Sequence, residues 1–221
     1  MRKIAFLPLV VMALLSCGCV KIETEYQWVD LGLSVKWAKV NVGSTEISGY
    51  GDYFAWGEIV AKDSYAAENY KWYDKDGHII KYCSNPKYDK PDFLTELLPE
   101  DDVAALKWGK GWRMPTYDEL MELVNNCDWI FSSVDGVKGY MARSKMPGYE
   151  KEWIFFPAAG FSDAAGSYPG YEGCYWTSTN CGGSNSIQSD ALTFNPSRIT
   201  TVGSGDGIAR IVGASVRPVH K

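Results

Sequence analysis

Glycine and proline interrupt this chain so often that long helices are excluded. The 221 residues include 22 glycines and 10 prolines, which recur along the chain. Both residues destabilise helix interiors and favour turns. Hydrophobic residues make up 46% of the chain, enough to form one buried core. The sequence therefore predicts one domain dominated by short strands and turns.

The charge of the chain argues against one class of partner. The formal net charge is −5, the isoelectric point is near 5.1, and lysine and arginine form no run. Proteins that bind nucleic acids neutralise the phosphate backbone with clusters of basic residues. We therefore expect no nucleic-acid partner.

The first residues are typical of an export signal. A basic start at residues 1–3 precedes an apolar stretch at residues 4–15, which is too short to span a bilayer. Two leucines and Ser16 then precede Cys17, an arrangement that resembles a bacterial lipobox. The alternative is an ordinary secretory signal with an incidental cysteine. Cys19 fits the box less well, because Ser16 would replace an aliphatic residue.

The N-terminal pattern predicts a membrane-anchored protein. Residues 1–16 would be a lipoprotein signal peptide, residues 17–25 a tether and residues 26–221 a single domain. Diacylglycerol on Cys17, with further acylation of the new N-terminus, would hold the protein on a membrane. We expect localisation at the outer membrane or cell surface.

Two helices are predicted from local signals. Residues 100–106 begin with acidic side chains, which favour a helix N-terminus. Thr116 and Glu119 have the spacing of a capping box. The box is followed by apolar residues at helical spacing, namely Leu120, Leu123, Val124 and Cys127. We therefore predict one main amphipathic helix from this point.

The strands are predicted from alternation and from turn residues. Asp135 and Gly136 form a hairpin turn signal between two of them. Residues 59–99 lack a clear pattern and are predicted to form a long surface excursion. The predicted strands are residues 26–32, 34–43, 50–58, 129–131, 139–143, 153–159, 174–179, 191–194 and 214–219.

Eight sequence blocks after the tether carry a family resemblance. In order, they are DLGLSVKWA at 30–38, YGDYFAWGE at 50–58, PEDDVA at 99–104, GWRMPT at 111–116, GVKGY at 136–140, FPAAG at 156–160, YWTST at 175–179 and SVRPV at 215–219. Together they resemble the Fibrobacter succinogenes major paralogous domain. The resemblance implies an α+β, C-type-lectin-like fold with a twisted mixed or antiparallel sheet, one main amphipathic helix and long loops. It also implies surface lipoproteins or adhesin-like modules without an established reaction.

The segments between the last blocks contain the candidate binding residues. Residues 180–190 and 197–209 are rich in small and polar side chains, which favours exposed loops held between rigid strands. We expect an extracellular protein or glycan ligand, contacted within residues 180–190 and 200–212. The predicted contact residues are Asn180, Asn185, Ile187, Asp190, Thr201, Ser204, Asp206, Ile208, Ile211 and Val212.

One tract in these segments suggests programmed variation. Some members of this lectin-like fold are diversified by retroelements that rewrite adenines near the 3′ end of the gene. Every residue at 203–209, just before Arg210, can arise in this way from an asparagine codon. The alternative is a glycine-rich turn without such a history, and the protein sequence leaves both open.

Catalytic and metal chemistry have little support in the sequence. His78 and His220 are the two histidines, and neither lies in a catalytic or zinc motif. The acidic run at residues 100–102 could ligate calcium, although the first turn of a helix explains it as well. The calcium motifs of sugar-binding lectins are absent, since Phe194 precedes Asn195 where one of them needs glutamate. We expect no enzyme, no cofactor and no metal.

Two other functions remain open. The chain could be a structural subunit of a fimbria or envelope assembly, or an enzyme related to the formylglycine-generating branch of the fold. The latter needs reactive cysteines, and four remain after the lipobox pair: Cys83, Cys127, Cys174 and Cys181. Cys174 and Cys181 are candidates for a disulfide or for free thiols, whereas Cys127 continues an apolar helix face. Most tryptophans and tyrosines are expected in the core rather than in a sugar-stacking platform.

Overall fold

The computed structural model describes residues 26–84, 86, 91–109, 111–181, 187–203 and 207–221. The protein belongs to the α+β class, as predicted, and strands outnumber helices among these residues. The helices are α1 Val103–Trp108 and α2 Tyr117–Asn126, with a 3-10 turn at Ala67–Asn69. None of the described helices is long and apolar enough to span a membrane.

The strands are short and are distributed along the whole described chain. They are β1 Trp28–Val29, β2 Lys36–Ala38, β3 Trp112–Arg113, β4 Cys127–Val134, β5 Val137–Ser144, β6 Trp153–Pro157, β7 Ser162–Asp163, β8 Gly166–Ser167, β9 Gly173–Asn180, β10 Gln188–Asn195, β11 Arg198–Val202, β12 Ile208–Ala209 and β13 Val219–His220.

The strands form several small sheets. One sheet has the order β1-β2-β13-β3 and joins the two ends of the described chain. A second has the order β4-β5-β6, and β7 pairs with β8. In the third, β10 lies between β9 on one side and both β11 and β12 on the other. The strand pairs are antiparallel, while single bridges at Gly160 and Tyr175 are parallel.

The local signals at α2 and at the following hairpin are confirmed. The Glu119 amide donates to Thr116 Oγ1, and the Thr116 amide donates to a Glu119 carboxylate oxygen. Asp135 and Gly136 have φ angles of 50° and 81°, which a two-residue hairpin turn requires. The helical prediction for Cys127 is wrong, because α2 ends at Asn126 and Cys127 begins β4.

Two truncations, one at the N-cap of α2 and one within the helix, should show how much capping and packing each contribute to the free energy of unfolding. Thr116→Ala removes one hydrogen-bond acceptor at the helix N-terminus and should lower the free energy of unfolding by about 1 kcal/mol. Leu123→Ala leaves a cavity under a side chain that is 0% exposed, so it should cost about 3 kcal/mol. Urea unfolding measures both, and equally negligible effects would contradict the docking of α2.

Two aromatic clusters form the core. The first contains Trp56, Trp72, Tyr82 and Trp176. In the second, Leu123 of α2 packs with residues such as Trp37, Phe156, Tyr175 and Phe194. The prediction that most tryptophans and tyrosines are core residues is confirmed for the tryptophans, of which six of nine are buried. Among the described tyrosines, five are buried: Tyr65, Tyr70, Tyr82, Tyr140 and Tyr175. Their burial fixes the strands that carry the C-terminal segments.

The predicted surface excursion at residues 59–99 is wrong. Tyr65, Tyr70, Ile79 and Tyr82 are each at most 3% exposed and belong to the first core cluster. The segment has no regular period because its aromatic residues are buried from turns rather than from strands. Aspartate, glutamate and lysine are interspersed with these aromatic residues, so the sequence pattern did not indicate a buried segment.

Several predicted strands are shorter than expected. Residues 50–58 make only one bridge, between Phe54 and Ala214. Phe54, Ala55 and Trp56 are all buried, so the chain is covered on both sides. Residues 26–32 contain only β1, and residues 34–43 contain only β2. Residues 214–219 contain bridges before β13 begins at Val219.

The loop prediction for residues 197–209 is wrong at its two ends. β11 and β12 lie there and pair with β10. The β-branched run from Arg198 to Val202 carried a strand signal that the predicted loop overlooked.

Candidate functional site

The strand register places two short segments at one corner of the third sheet. β9 and β10 are joined by residues 181–187, and β11 and β12 are joined by residues 203–207. Ala191 pairs with Val202, whereas Ser189 pairs with Ile208. Asp190 therefore lies between the β10 residue that pairs with the end of β11 and the β10 residue that pairs with the start of β12.

The ends of the two segments touch each other. A side chain at position 207 would collide with Cys181 Sγ and with the Ser189 carbonyl oxygen, so glycine permits this approach. The amide of Arg210 donates to the Ile187 carbonyl oxygen over 2.9 Å. We call this region the loop corner and define it by Cys181, Ile187, Asp190, Gly203 and Gly207.

The buried side chain of Arg210 holds β10 in place beside the loop corner. The side chain is 1% exposed and lies 4.5 Å from the centre of the Trp56 ring. The guanidinium donates to Ser189 Oγ over 3.0 Å and to the Tyr82 carbonyl oxygen over 2.8 Å. Burial lowers the pKa of Arg210. The arginine therefore ties β10 to the turn-rich segment that precedes α1.

A second set of polar contacts holds the end of β9. The Asn180 side-chain amide donates to the Leu94 carbonyl oxygen over 2.7 Å, and the Asn180 backbone amide donates to the Thr95 carbonyl oxygen. Both oxygens of Glu96 accept from hydroxyls, one from Ser178 and one from Thr179. These bonds span more than eighty residues of sequence and anchor β9 against residues 94–97.

Asp190 is the unusual group of the loop corner. It is 4% exposed, and its Oδ1 has no hydrogen-bond partner. Burial raises the pKa of this carboxyl to about 6. The charge of Glu96 adds to that rise, whereas a hydrogen bond with the Cys181 side chain partly offsets it. A buried polar atom without a partner is energetically costly, so such atoms mark strained or functional positions.

The predicted contact residues have different positions. Ile187 is 49% exposed, and Thr201, Ile208, Ile211 and Val212 are half-buried. Asn180 is 5% exposed, so its predicted place in an exposed loop is wrong. β9 extends to this residue, and its side-chain amide donates to the Leu94 carbonyl oxygen. Asp190 is likewise not in a loop but in β10. Asn185, Ser204, Asp206 and Cys17 lie outside the described residues.

Two of the half-buried residues contribute to packing. Ile208 and Ile211 lie against the first core cluster, which reduces the apolar surface they offer to a ligand. The sequence did not identify Glu96, Tyr117 or Arg210 as neighbours of the segments. The position of Arg210 directly after the glycine-rich tract was the one available signal.

The acidic run before α1 has structural roles. Asp102 caps α1 by accepting from the amides of Ala104 and Ala105, and Asp101 forms ion pairs with Lys71 and Lys81. These contacts favour the helix-turn interpretation of the run over calcium binding.

A different trio has ligand atoms close together. Asp74, Asp76 and His78 could each offer one ligand atom to a metal ion. However, Asp74 already accepts amide hydrogen bonds within its own turn, and Asp76 pairs with Lys75. Those contacts explain the cluster as a turn without any metal.

The described cysteines are buried. Cys127 and Cys174 are free thiols, so the candidate disulfide between Cys174 and Cys181 is not formed. Burial raises the pKa of Cys127 to about 11 and that of Cys174 to about 12. Both are therefore protonated and weakly nucleophilic at neutral pH.

A cleft of about 200 Å³ lies away from the loop corner, between β1 and β6. Val29, Ile154 and Phe155 contribute apolar surface to it, and Lys39 and Glu152 add one charge of each sign. This volume is below the usual range for small-molecule sites. The loop corner is thus the stronger candidate site.

Comparisons of the chain with protein-family models, curated proteins and solved structures find no match.

Proposed function

We propose that this protein is a lipid-anchored binding module that uses a C-type-lectin-like scaffold to present its loop corner to an extracellular protein or glycan. One observation carries the proposal: the two polar segments that the sequence singles out begin and end at one place. Cys181 and Gly207 are in contact there, and Ile187 is exposed beside them. Convergent segments on paired strands are a common basis for recognition surfaces.

The scaffold supports the proposal because much of its buried core lies outside the two segments. The family-like blocks contribute Trp37, Trp56, Trp176 and Arg217, each at most 1% exposed. Substitutions on exposed segments usually change stability by less than about 0.5 kcal/mol. Exposed residues of the loop corner such as Ile187 could therefore vary while the buried blocks keep the fold.

Attachment through Cys17 would place this corner outside the cell. Antibody staining and protease treatment of intact cells test that part of the proposal. Accessibility to both supports an outward-facing lipoprotein, whereas complete protection would assign the protein to the periplasmic face.

Programmed variation is a separate part of the proposal. A retroelement would leave a near-identical template in the genome, and the gene would differ from it only at template adenines. Sequencing the 3′ end of the gene and the surrounding genome tests this directly. Without such a template, residues 203–209 are an ordinary glycine-rich turn.

The proposal assigns binding rather than catalysis. The protonated state of the Cys127 and Cys174 thiols weighs against an oxidase of the formylglycine-generating type. His78 lies beside Asp74 of the same turn, and the His220 ring lies beside the Lys221 carbonyl oxygen and the Trp112 ring.

Ile187 provides the variant that tests the loop corner. Ile187→Asp places a charge on an exposed side chain and should weaken binding about tenfold or more, because apolar contact is lost and a carboxylate is desolvated. The melting temperature should change by less than about 2 °C. An array of purified glycans and extracellular proteins identifies the binder, and biolayer interferometry measures its dissociation constant.

Leu106→Asp is the matched control. Leu106 lies on α1, is 50% exposed and contributes nothing to the loop corner. Its substitution should leave binding unchanged. Equal losses in the two variants would contradict the assignment of the site to the loop corner.

A second candidate function is a structural subunit, and the edge of β4 favours it. Among the described residues, β4 pairs with β5 alone along its eight residues. An unpaired edge of this length can accept a strand from another chain. Analytical ultracentrifugation and cross-linking in envelope extracts test this candidate, and a protein that is monomeric in both is not such a subunit.

A further inference from the structure

We propose that the loop corner recognises a cationic group on its ligand, an ammonium or a guanidinium, which donates a hydrogen bond to Asp190 Oδ1. This inference rests on the proposed function and adds the chemical class of the group that is bound. It is carried by an acceptor atom that the fold leaves without a donor at the place where the two segments meet.

The position of Asp190 selects it from the other acidic residues. It lies on β10 between Ala191, which pairs with Val202, and Ser189, which pairs with Ile208, and its Oδ1 borders Gly203. The neighbouring strand residues Ser189 and Ala191 are 0% exposed, so the backbone that carries the carboxylate is fixed. A rigid acceptor at the base of a recognition surface loses little entropy when a donor binds.

Among the residues that the structure describes, no lysine or arginine is paired with this carboxylate. The sequence contains neither lysine nor arginine at residues 181–197 or 199–209. The guanidinium of Arg210 is directed to backbone carbonyls and to Ser189, and Arg113 forms an ion pair with Glu119. A ligand cation would therefore satisfy both the charge and the missing hydrogen bond.

The surroundings fit an organic cation better than calcium. Calcium requires six to eight oxygen ligands, whereas both oxygens of Glu96 already accept hydroxyl hydrogen bonds. The Tyr117 ring borders Gly203 as Asp190 does, and an aromatic ring stabilises a nearby ammonium or guanidinium. The charge of Glu96 also raises the pKa of the Asp190 carboxyl, and the same charge would attract a cation.

The ionisation of Asp190 gives the binding a defined pH dependence. The titratable groups around it are Glu96 on the segment beside β9, Cys181 at the end of β9 and Tyr117 on α2. Because burial raises the pKa of Asp190 to about 6, the carboxylate is charged above that pH and neutral below it. Binding of a cation should therefore be strong at pH 7.5 and should weaken as the pH falls through 6.

Methylammonium is a minimal probe for this site. We expect saturable changes in the ¹H–¹⁵N NMR signals of Cys181, Asp190 and Gly203 when the purified protein is titrated with methylammonium chloride at pH 7.5. The apparent dissociation constant should rise about tenfold at pH 5, where a carboxyl with this pKa is about one-tenth ionised. Tetramethylammonium has the same charge but no N–H group, and it should not saturate the site.

Asp190→Asn removes the charge and should abolish the methylammonium response without lowering the melting temperature. Asp128→Asn, at an exposed position on β4, is the matched control and should respond as the unmodified protein does. A response that persists in Asp190→Asn, that is equal for tetramethylammonium, or that is absent from the unmodified protein at pH 7.5 would overturn the inference.

A ligand identified on the array of glycans and extracellular proteins allows the cation inference to be tested separately from the proposed function. If Ile187→Asp weakens its binding and Asp190→Asn does not, the cation inference fails and the loop corner remains the binding site. If neither variant weakens binding, the proposed function fails as well.

Discussion

Arg217→Met should lower the free energy of unfolding by about 5 kcal/mol. Arg217 is 1% exposed, and its guanidinium donates to Asn41 Oδ1 and to the carbonyl oxygens of Ala38, Lys39 and Phe155 over 2.7 to 3.2 Å. Methionine fills a similar volume but donates nothing, so four acceptors lose their partner. Each buried acceptor left in this way costs about 1 to 3 kcal/mol.

The effect should be large because these bonds join separate parts of the fold. Ala38 ends β2 and Phe155 lies in β6, two strands that belong to different sheets. Burial lowers the pKa of Arg217 to about 10, so the side chain remains charged at neutral pH. Urea unfolding measures the loss, with the exposed Arg143→Met as a control that should change stability little. A loss below about 1 kcal/mol for Arg217→Met would mean that the guanidinium does not join the sheets.

Arg210→Met should cost about 4 kcal/mol and should also loosen the loop corner. The substitution leaves Ser189 Oγ and the carbonyl oxygens of Gln188, Lys81 and Tyr82 without the guanidinium. It also removes the cation above the Trp56 ring. Urea unfolding gives the stability, and hydrogen exchange at the amides of β10 and β12 reports the local effect.

Arg198→Met is the control for this second variant. Arg198 is exposed at the far end of β11, where it pairs with Asn195 through the backbone. Its replacement should leave both stability and exchange nearly unchanged. If Arg210→Met speeds exchange only at the loop corner and the free energy of unfolding barely changes, Arg210 orders the loop corner without stabilising the whole fold. If neither exchange nor the free energy of unfolding changes, the structural role assigned to Arg210 is contradicted.

The elements that could be predicted from the sequence depend on local chemistry. The capping box of α2 and the Asp135–Gly136 turn each lie within a few residues, and both have the expected geometry. The helix predicted at residues 100–106 also forms, but it begins at Val103, so the acidic residues precede its first turn and Asp102 is its N-cap. Their stabilising contacts are close in sequence, so a local pattern was sufficient.

The elements that were mispredicted depend on distant partners. The aromatic residues at 65–82 are buried because Trp56 and residues of β9 cover them, which no periodic pattern reveals. Asn180 was expected in an exposed loop, but residues 94 and 95 accept its hydrogen bonds. Contacts of this kind are set by the packing of the whole chain.

The sequence indicated the two polar segments of the candidate site but not the contacts around them. The composition of residues 180–212 indicated where the segments lie, and the register of β10 with β11 and β12 brings their ends together. The burial of Asp190 and its proximity to Glu96 could not be inferred, since the two residues are far apart in sequence.

The most direct test of the loop corner as the binding site is the dissociation constant of the Ile187→Asp and Leu106→Asp proteins for the same array ligand. The two side chains are almost equally exposed, so the comparison isolates position from the general effect of a new charge. A loss of about tenfold or more in Ile187→Asp, with Leu106→Asp equal to the unmodified protein, is the result that we predict. Binding that Leu106→Asp weakens and Ile187→Asp leaves intact would contradict it.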